Sequence, residues 1–149
     1  MEITDLDSSP LAVQVRFLQP VEIKAMLEDP TIRDSVLVLD VRDDDFQGAG
    51  HIRGCINIPS YLLSTTDELD SFITRYLRRA DETSDTPPIN TVVVHCYLSQ
   101  QRGPTTARRL AQRLAEVKDE WSTPEVVVLA HGWRRFHQLF GTDLALCEY

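Results

Sequence analysis

A cysteine and an arginine separated by five residues are the strongest chemical signal in this sequence. Cys96 follows the run Val92–Val94, whose β-branched side chains are typical of a buried strand. Arg102 stands just before Gly103 and Pro104, where a helix is expected to start. Helix N-termini and guanidinium groups both attract anions. We therefore predict that Cys96 is a nucleophile and that Arg102 binds a tetrahedral oxyanion beside it.

The thiol has to ionise before it can attack. A free cysteine, with a pKa of about 8.5, is only a few per cent thiolate at neutral pH, so its surroundings must stabilise the anion. Attack on phosphorus would give a phosphocysteine that water then hydrolyses, while loop amides hold the equatorial oxygens. The Ser99 hydroxyl is expected to donate to the departing sulfur. The predicted oxyanion-binding residues are Tyr97, Leu98, Ser99, Gln100, Gln101 and Arg102.

The proton donor is the least defined part of the predicted site. An acidic loop follows the apolar run 35–40, and Asp43, Asp44 and Asp45 in that loop are the candidate general acids. The alternative for each is a solvated acidic turn. His95 either tunes the nucleophile beside it or is a hydrogen-bonded core histidine.

The composition limits the class of protein. The 149 residues are expected to form one domain over 1–149, with 1–12 as a flexible tail. A net charge of −8 argues against nucleic-acid binding, and no apolar run is long enough to cross a membrane. Three cysteines without paired spacing favour a reducing compartment, so we expect a cytoplasmic protein, with nuclear entry left open. Since no ligand spacing is visible, neither a metal nor a cofactor is expected.

Strand and helix patterns alternate along the chain. Predicted strands lie at 13–17, 35–40, 55–58, 92–94 and 125–130, and predicted helices at 21–27, 69–77, 105–118 and 133–140. This alternation predicts an α/β domain with a central, mostly parallel sheet of about five strands and helices on both faces.

Several motifs resemble those of the rhodanese superfamily. Leu39–Arg42, Gly50–Gly54 and Asn57–Pro59 resemble its entry motif. Residues Val128–Trp133 resemble its closing strand and turn, with His131-Gly132 in place of the usual glycine pair. The stretch His95–Pro104 is similar to the loop of cell-division-cycle dual-specificity phosphatases and eukaryotic arsenate reductases, and looks closest to small fungal phosphatases of that group.

The resemblance implies a rhodanese-like fold and a protein tyrosine or dual-specificity phosphatase that acts on a phosphoprotein. Arsenate reduction in the same loop, with glutathione as co-substrate or with a glutaredoxin, is the alternative. Sulfurtransferases of this fold use a shorter loop, so sulfur transfer is disfavoured. A non-catalytic phosphate-binding module is the remaining hypothesis. The related phosphatases carry loop glutamates where this chain has Tyr97 and Gln101, which leaves the general acid open. The expected ligand is a phosphate or arsenate oxyanion.

Overall fold

A computed structural model describes residues 13–78, 86–118 and 120–149, so the expected tail at 1–12 lies outside the described residues. The strands are Arg16–Leu18 (β1), Val36–Asp40 (β2), His51–Ile52 (β3), Ile56–Asn57 (β4), Thr91–His95 (β5), Glu125–Leu129 (β6) and Cys147–Glu148 (β7). The α-helices are Pro20–Glu28 (α1), Thr66–Phe72 (α2), Arg102–Glu116 (α3) and Gly132–Phe140 (α4).

Five strands form a parallel sheet in the order β1-β6-β5-β2-β4. The three central strands are almost continuously apolar because both of their faces are covered. Along β5, Val92 and Val94 join one buried cluster and Val93 joins the other. This alternation follows from the period of two residues along a strand.

The helices divide between the two faces of the sheet. Phe72 of α2 and Leu110 of α3 belong to the first buried cluster, whereas Ile23 of α1 and Phe136 of α4 belong to the second. The predicted α/β architecture, with five central strands and helices on both faces, is therefore confirmed. None of the helices in the described part of the chain is long and apolar enough to cross a membrane.

The first strand lies later than the pattern predicts. Val13 and Val15 are partly buried against the core but precede β1, and Phe17 within β1 is 48% exposed. The strand predicted at 13–17 therefore overlaps the observed strand only at residues 16 and 17. In β1, which pairs only with β6, Leu18 and not Phe17 packs against the second buried cluster.

Helix α3 starts at Arg102, three residues before the predicted start at Thr105. Pro104 is compatible with this start because N–H groups in the first turn of a helix have no carbonyl partner within the helix, so a residue without an N–H loses no hydrogen bond there. The earlier start places the helix N-terminus directly against the end of the Cys96 loop.

The register of the sheet brings two loops together. Asp40 at the end of β2 is the Cα partner of His95 at the end of β5. The acidic loop after β2 and the cysteine loop after β5 therefore leave the sheet side by side, at the carboxyl edge where parallel α/β sheets bind ligands.

Candidate active site

Cys96 follows β5 directly and is only 3% exposed. The backbone N–H of Gly103, in the first turn of α3, donates to its Sγ at 3.2 Å. A Cβ on Gly103 would lie 3.2 Å from the backbone N of Cys96 and the Cα of His95, which is tighter than ordinary contact. Glycine thus permits the close approach of α3 that brings a helix amide to the sulfur.

The loop between Cys96 and Arg102 offers unused donors. Backbone amides of residues 97–101 donate to no other described residue. Ser99 has a φ of 54° and is 5% exposed, yet its Oγ has no hydrogen-bond partner among the described residues. Buried donors without partners are uncommon in folded proteins. The loop is therefore suited to receive an oxyanion.

Arg102 holds two carboxylates of the acidic loop. Its Nη1 and Nη2 donate to the two carboxylate oxygens of Asp45 at 2.9 and 2.8 Å, and Nη1 also donates to Asp43 at 3.2 Å. The hydrogen bond from Arg102 lowers the pKa of Asp45 to about 2, and the same pair raises the pKa of Arg102. In this arrangement Asp45 is ionised at neutral pH. Asp44 is exposed, and its side chain pairs with no other described residue.

A pocket of about 290 Å³ is lined in part by Cys96. It contains five of the six predicted oxyanion-binding residues together with one candidate acid. Its lining residues are Asp45, Cys96, Tyr97, Leu98, Gln100, Gln101 and Arg102. A larger groove of about 430 Å³ lies against α2, but no cysteine lines it. The pocket at Cys96 is therefore the better candidate for an active site.

The acidic loop is anchored by a buried ion pair. Arg42 and Asp40 are both fully buried, and Arg42 Nη2 lies 2.7 Å from Asp40 Oδ2. The same guanidinium donates to the backbone oxygens of Asp45 at 3.3 Å and Gly50 at 2.8 Å. It also lies 5.4 Å from the Trp133 ring. Sequence reasoning missed this role of Arg42, although an arginine two residues after the end of a buried strand was a usable signal.

His95 holds the backbone of the nucleophile. Its Nδ1 lies 2.9 Å from the carbonyl oxygen of Cys96, so Nδ1 is the protonated nitrogen, since a carbonyl can only accept. Its Nε2 is 3.7 Å from Asp40 Oδ2 and has no hydrogen-bond partner among the described residues. The ring is fully buried and therefore fits the core-histidine alternative, while it still contacts the nucleophile's peptide.

Helix α4 fixes the same peptides from the other side. The N–H groups of Trp133 and Arg134 donate to the carbonyls of Cys96 and Tyr97, both at 3.0 Å. Gly132 has a φ of +65°, and a Cβ there would lie 2.3 Å from the Tyr97 oxygen. The first two carbonyls of the loop are thus satisfied by α4. The loop amides are left for a ligand.

The other two cysteines, Cys55 and Cys147, do not line the pocket at Cys96. Burial raises the pKa of Cys55 to about 12 and that of Cys147 to about 11, so both remain thiols at neutral pH. All three cysteines are free. Within the described ranges, no group of three or more His, Cys, Asp or Glu side chains is placed to hold a metal ion.

Replacement of Gly132 should destabilise the loop more than replacement of a matched glycine. Gly48 also has a positive φ, of +72°, but nothing lies within 4 Å of the Cβ it lacks. We expect Gly48→Ala to cost about 1–2 kcal/mol through backbone strain alone, and Gly132→Ala to cost more because Cβ meets the Tyr97 carbonyl. Urea unfolding of both variants checks this. Equal costs would show that α4 does not constrain the loop.

Residues 19–139 match the family described as rhodanese-like domain. The Arabidopsis thaliana dual specificity phosphatase Cdc25 is 33% identical over 101 residues, which are 68% of this chain and 61% of that protein. Arsenate reductase 2.1 of Oryza sativa subsp. japonica is 29% identical over 141 residues, covering 95% of this chain and 78% of the relative.

The structure of Ygr203w, described as a yeast protein tyrosine phosphatase of the rhodanese family, has a TM-score of 0.71 at 29% identity. The alignment covers 91% of this chain and 92% of the yeast chain. The resemblance drawn from the motifs is thereby confirmed. Since the match covers most of the chain and the folds agree, this chain belongs to the rhodanese-like domain family, and its relatives include phosphatases and arsenate reductases.

Proposed function

We propose that this protein is a cysteine-dependent phosphatase that hydrolyses phosphoric monoesters, with phosphotyrosine in proteins or small aryl phosphates as the substrate class. The observation that carries the proposal is the position of Cys96. Its sulfur accepts a hydrogen bond from the Gly103 amide, at the N-terminus of α3, at 3.2 Å, and Cys96 and Arg102 line the same pocket. Similarity to proteins named as phosphatases supports it.

The first step is attack of the Cys96 thiolate on phosphorus. The Gly103 amide, the α3 dipole and the positive charge of Arg102 stabilise the thiolate. A sulfur–phosphorus bond forms as the ester oxygen–phosphorus bond breaks, and the leaving oxygen takes a proton. Arg102 and the unused loop amides hold the equatorial oxygens in the transition state.

The second step returns the enzyme to its starting state. Water attacks the phosphocysteine, the sulfur–phosphorus bond breaks, and inorganic phosphate leaves the regenerated thiolate. The Ser99 hydroxyl is the proposed donor to the departing sulfur, because it is buried in the loop and has no hydrogen-bond partner among the described residues. A donor to the leaving thiolate lowers the barrier by stabilising the charge that develops there.

We assign the general acid to Asp45, with Asp43 and Asp44 as the remaining candidates. In the free protein Asp45 is paired with Arg102 and ionised. An oxyanion that takes over the guanidinium releases Asp45 beside a second negative charge. A like charge nearby favours the protonated form of a carboxyl group. Asp45 would then hold the proton that the leaving oxygen requires.

Loss of the nucleophile should abolish turnover. We expect Cys96→Ser to reduce the hydrolysis of 4-nitrophenyl phosphate by at least about 10³-fold, because a serine hydroxyl at this position has no base to activate it. Cys55→Ser is the matched control and should keep most of the rate. Initial rates of the purified proteins decide the matter. Equal rates for wild type and Cys96→Ser would refute the proposal, and phosphate binding without turnover would favour a non-catalytic module.

Replacement of Asp45 should separate binding from proton transfer. Asp45→Asn removes the carboxylate that competes with substrate for Arg102, so KM should fall. It also removes the general acid, so kcat should fall by about 10²-fold for phenyl phosphate. The loss for 4-nitrophenyl phosphate should be smaller because its leaving group needs less protonation. Asp34→Asn is the control, since Asp34 is an exposed carboxylate that neither contacts Arg102 nor lines the pocket at Cys96. A uniform effect of Asp45→Asn on both substrates would exclude it as the acid.

Arsenate reduction is the second candidate, favoured by the relative named arsenate reductase, which aligns with 95% of this chain. Cys96 would displace a hydroxyl of arsenate to form a sulfur–arsenic bond. Attack by the glutathione thiol would then reduce arsenic(V) to arsenic(III), with both electrons coming from the two sulfurs as they join in a mixed disulfide. Cys55 and Cys147 are poor resolving thiols because burial keeps them protonated.

Arsenite formation tests this second reaction directly. Wild-type protein with arsenate, glutathione and a glutaredoxin should release arsenite if the reaction occurs, whereas Cys96→Ser should not. Arsenite at the level of the Cys96→Ser background would exclude arsenate reduction and leave the phosphatase proposal intact.

A further inference from the structure

A second pocket, of about 250 Å³, lies beside the first. We call it the arginine pocket. It is lined by Leu98, Gln100, His131, Arg134, Arg135 and Gln138. Counted from His131, the residue that precedes α4, the last four residues fall at positions i, i+3, i+4 and i+7, which places them on one side of the helix.

The charge of this pocket is unbalanced. None of its lining residues is acidic, although the whole chain carries a net charge of −8. Within the described ranges neither Arg134 nor Arg135 forms an ion pair, and Arg135 donates only to the side-chain oxygen of Gln138 at 3.3 Å. By contrast, Arg113 on α3 binds both carboxylate oxygens of Asp70. Two exposed arginines without a carboxylate partner suit an external anion.

The arginine pocket adjoins the pocket at Cys96. Leu98 and Gln100 line both of them. The backbone N–H of Arg134 donates to the Tyr97 carbonyl at 3.0 Å, which ties this part of α4 to the loop. Two residues of extended chain span at most about 7 Å, so Leu98 lies within that distance of Cys96. A single substrate could therefore reach both pockets.

Resting on the proposed phosphatase function, we propose that the arginine pocket binds a second anionic group of the same substrate. The group is a carboxylate or phosphate on a side chain within about three residues of the phosphotyrosine in a peptide. Arg134 and Arg135 pair with this group while Arg102 holds the reacting phosphate. The pocket therefore sets specificity for acidic phosphopeptides. Leu98, which lines both pockets, and the neighbouring Tyr97 are both 38% exposed and offer apolar surface to the intervening peptide.

Matched phosphopeptides test the assignment. The first peptide has glutamate at the three positions on each side of phosphotyrosine, the second has glutamine there, and the third has a second phosphate in place of one glutamate. We expect wild-type kcat/KM to favour the acidic peptides over the neutral one by about three- to tenfold, as two solvent-accessible ion pairs would allow. The preference should shrink as salt is added.

The double variant Arg134→Gln/Arg135→Gln should bring the ratio of acidic to neutral kcat/KM close to one. Arg109→Gln is the matched control, because it removes the same kind of charge from a residue that lines neither pocket, and it should keep the wild-type ratio. The third peptide shows whether phosphate or carboxylate is preferred. A wild-type ratio of one, or a double variant with the wild-type ratio, overturns the assignment.

Failure of the proposed function has a different signature. Turnover of 4-nitrophenyl phosphate, which has no second anionic group of this kind, reports on the phosphatase activity alone. If that turnover is absent, titration of the Cys96→Ser protein with the same peptides measures the ratio as affinities. If Cys96→Ser binds the acidic peptides more tightly than the neutral one, and the triple variant Cys96→Ser/Arg134→Gln/Arg135→Gln does not, the assignment of the arginine pocket is supported. An absent preference rejects it.

Discussion

The buried ion pair between Asp40 and Arg42 is the interaction on which the site depends. Both side chains are fully buried at the end of β2, and a charge buried there without its partner would cost about 3–5 kcal/mol. The remaining N–H groups of Arg42 must also be satisfied, and they hold the backbone oxygens of Asp45 and Gly50. The acidic loop is thereby kept opposite Arg102. A structural requirement of the core thus sets the electrostatics of the pocket.

The nucleophile is held from two sides by helix N-termini with different tasks. Helix α3 directs the Gly103 amide at the sulfur, whereas α4 binds the carbonyls of Cys96 and Tyr97. Both contacts involve a glycine: a Cβ on Gly132 would overlap the Tyr97 carbonyl, and a Cβ on Gly103 would crowd the backbone of His95 and Cys96. The loop is therefore presented with its amides unused. Under the proposed function, the substrate's oxyanion replaces Asp45 on Arg102, so the free protein already contains an occupant for its anion site.

Sequence patterns predicted the framework well where the signal was local. Strands β2, β5 and β6 were predicted because a strand covered on both faces is continuously apolar. Helices α1, α3 and α4 were predicted because one buried stripe places apolar residues at helical spacing. Strand β1 was predicted too early in the chain, since Val13 and Val15 pack against the core without belonging to a strand. The pairing of β3 with β7 was missed, because it joins two-residue strands almost a hundred positions apart and leaves no periodic trace. The roles predicted for Cys96, Arg102 and the candidate acids remain predictions.

The sequence by itself determined the order of elements, the family and the five-residue spacing between Cys96 and Arg102, because each of these depends only on residues close together in the chain. Only the tertiary structure decided which acid faces Arg102, which carbonyls α4 satisfies, and that Arg134 and Arg135 line a pocket next to the one at Cys96. These depend on the register that places Asp40 beside His95 and on helices that approach from distant parts of the chain. Distances between such segments arise from packing, and no local pattern encodes them.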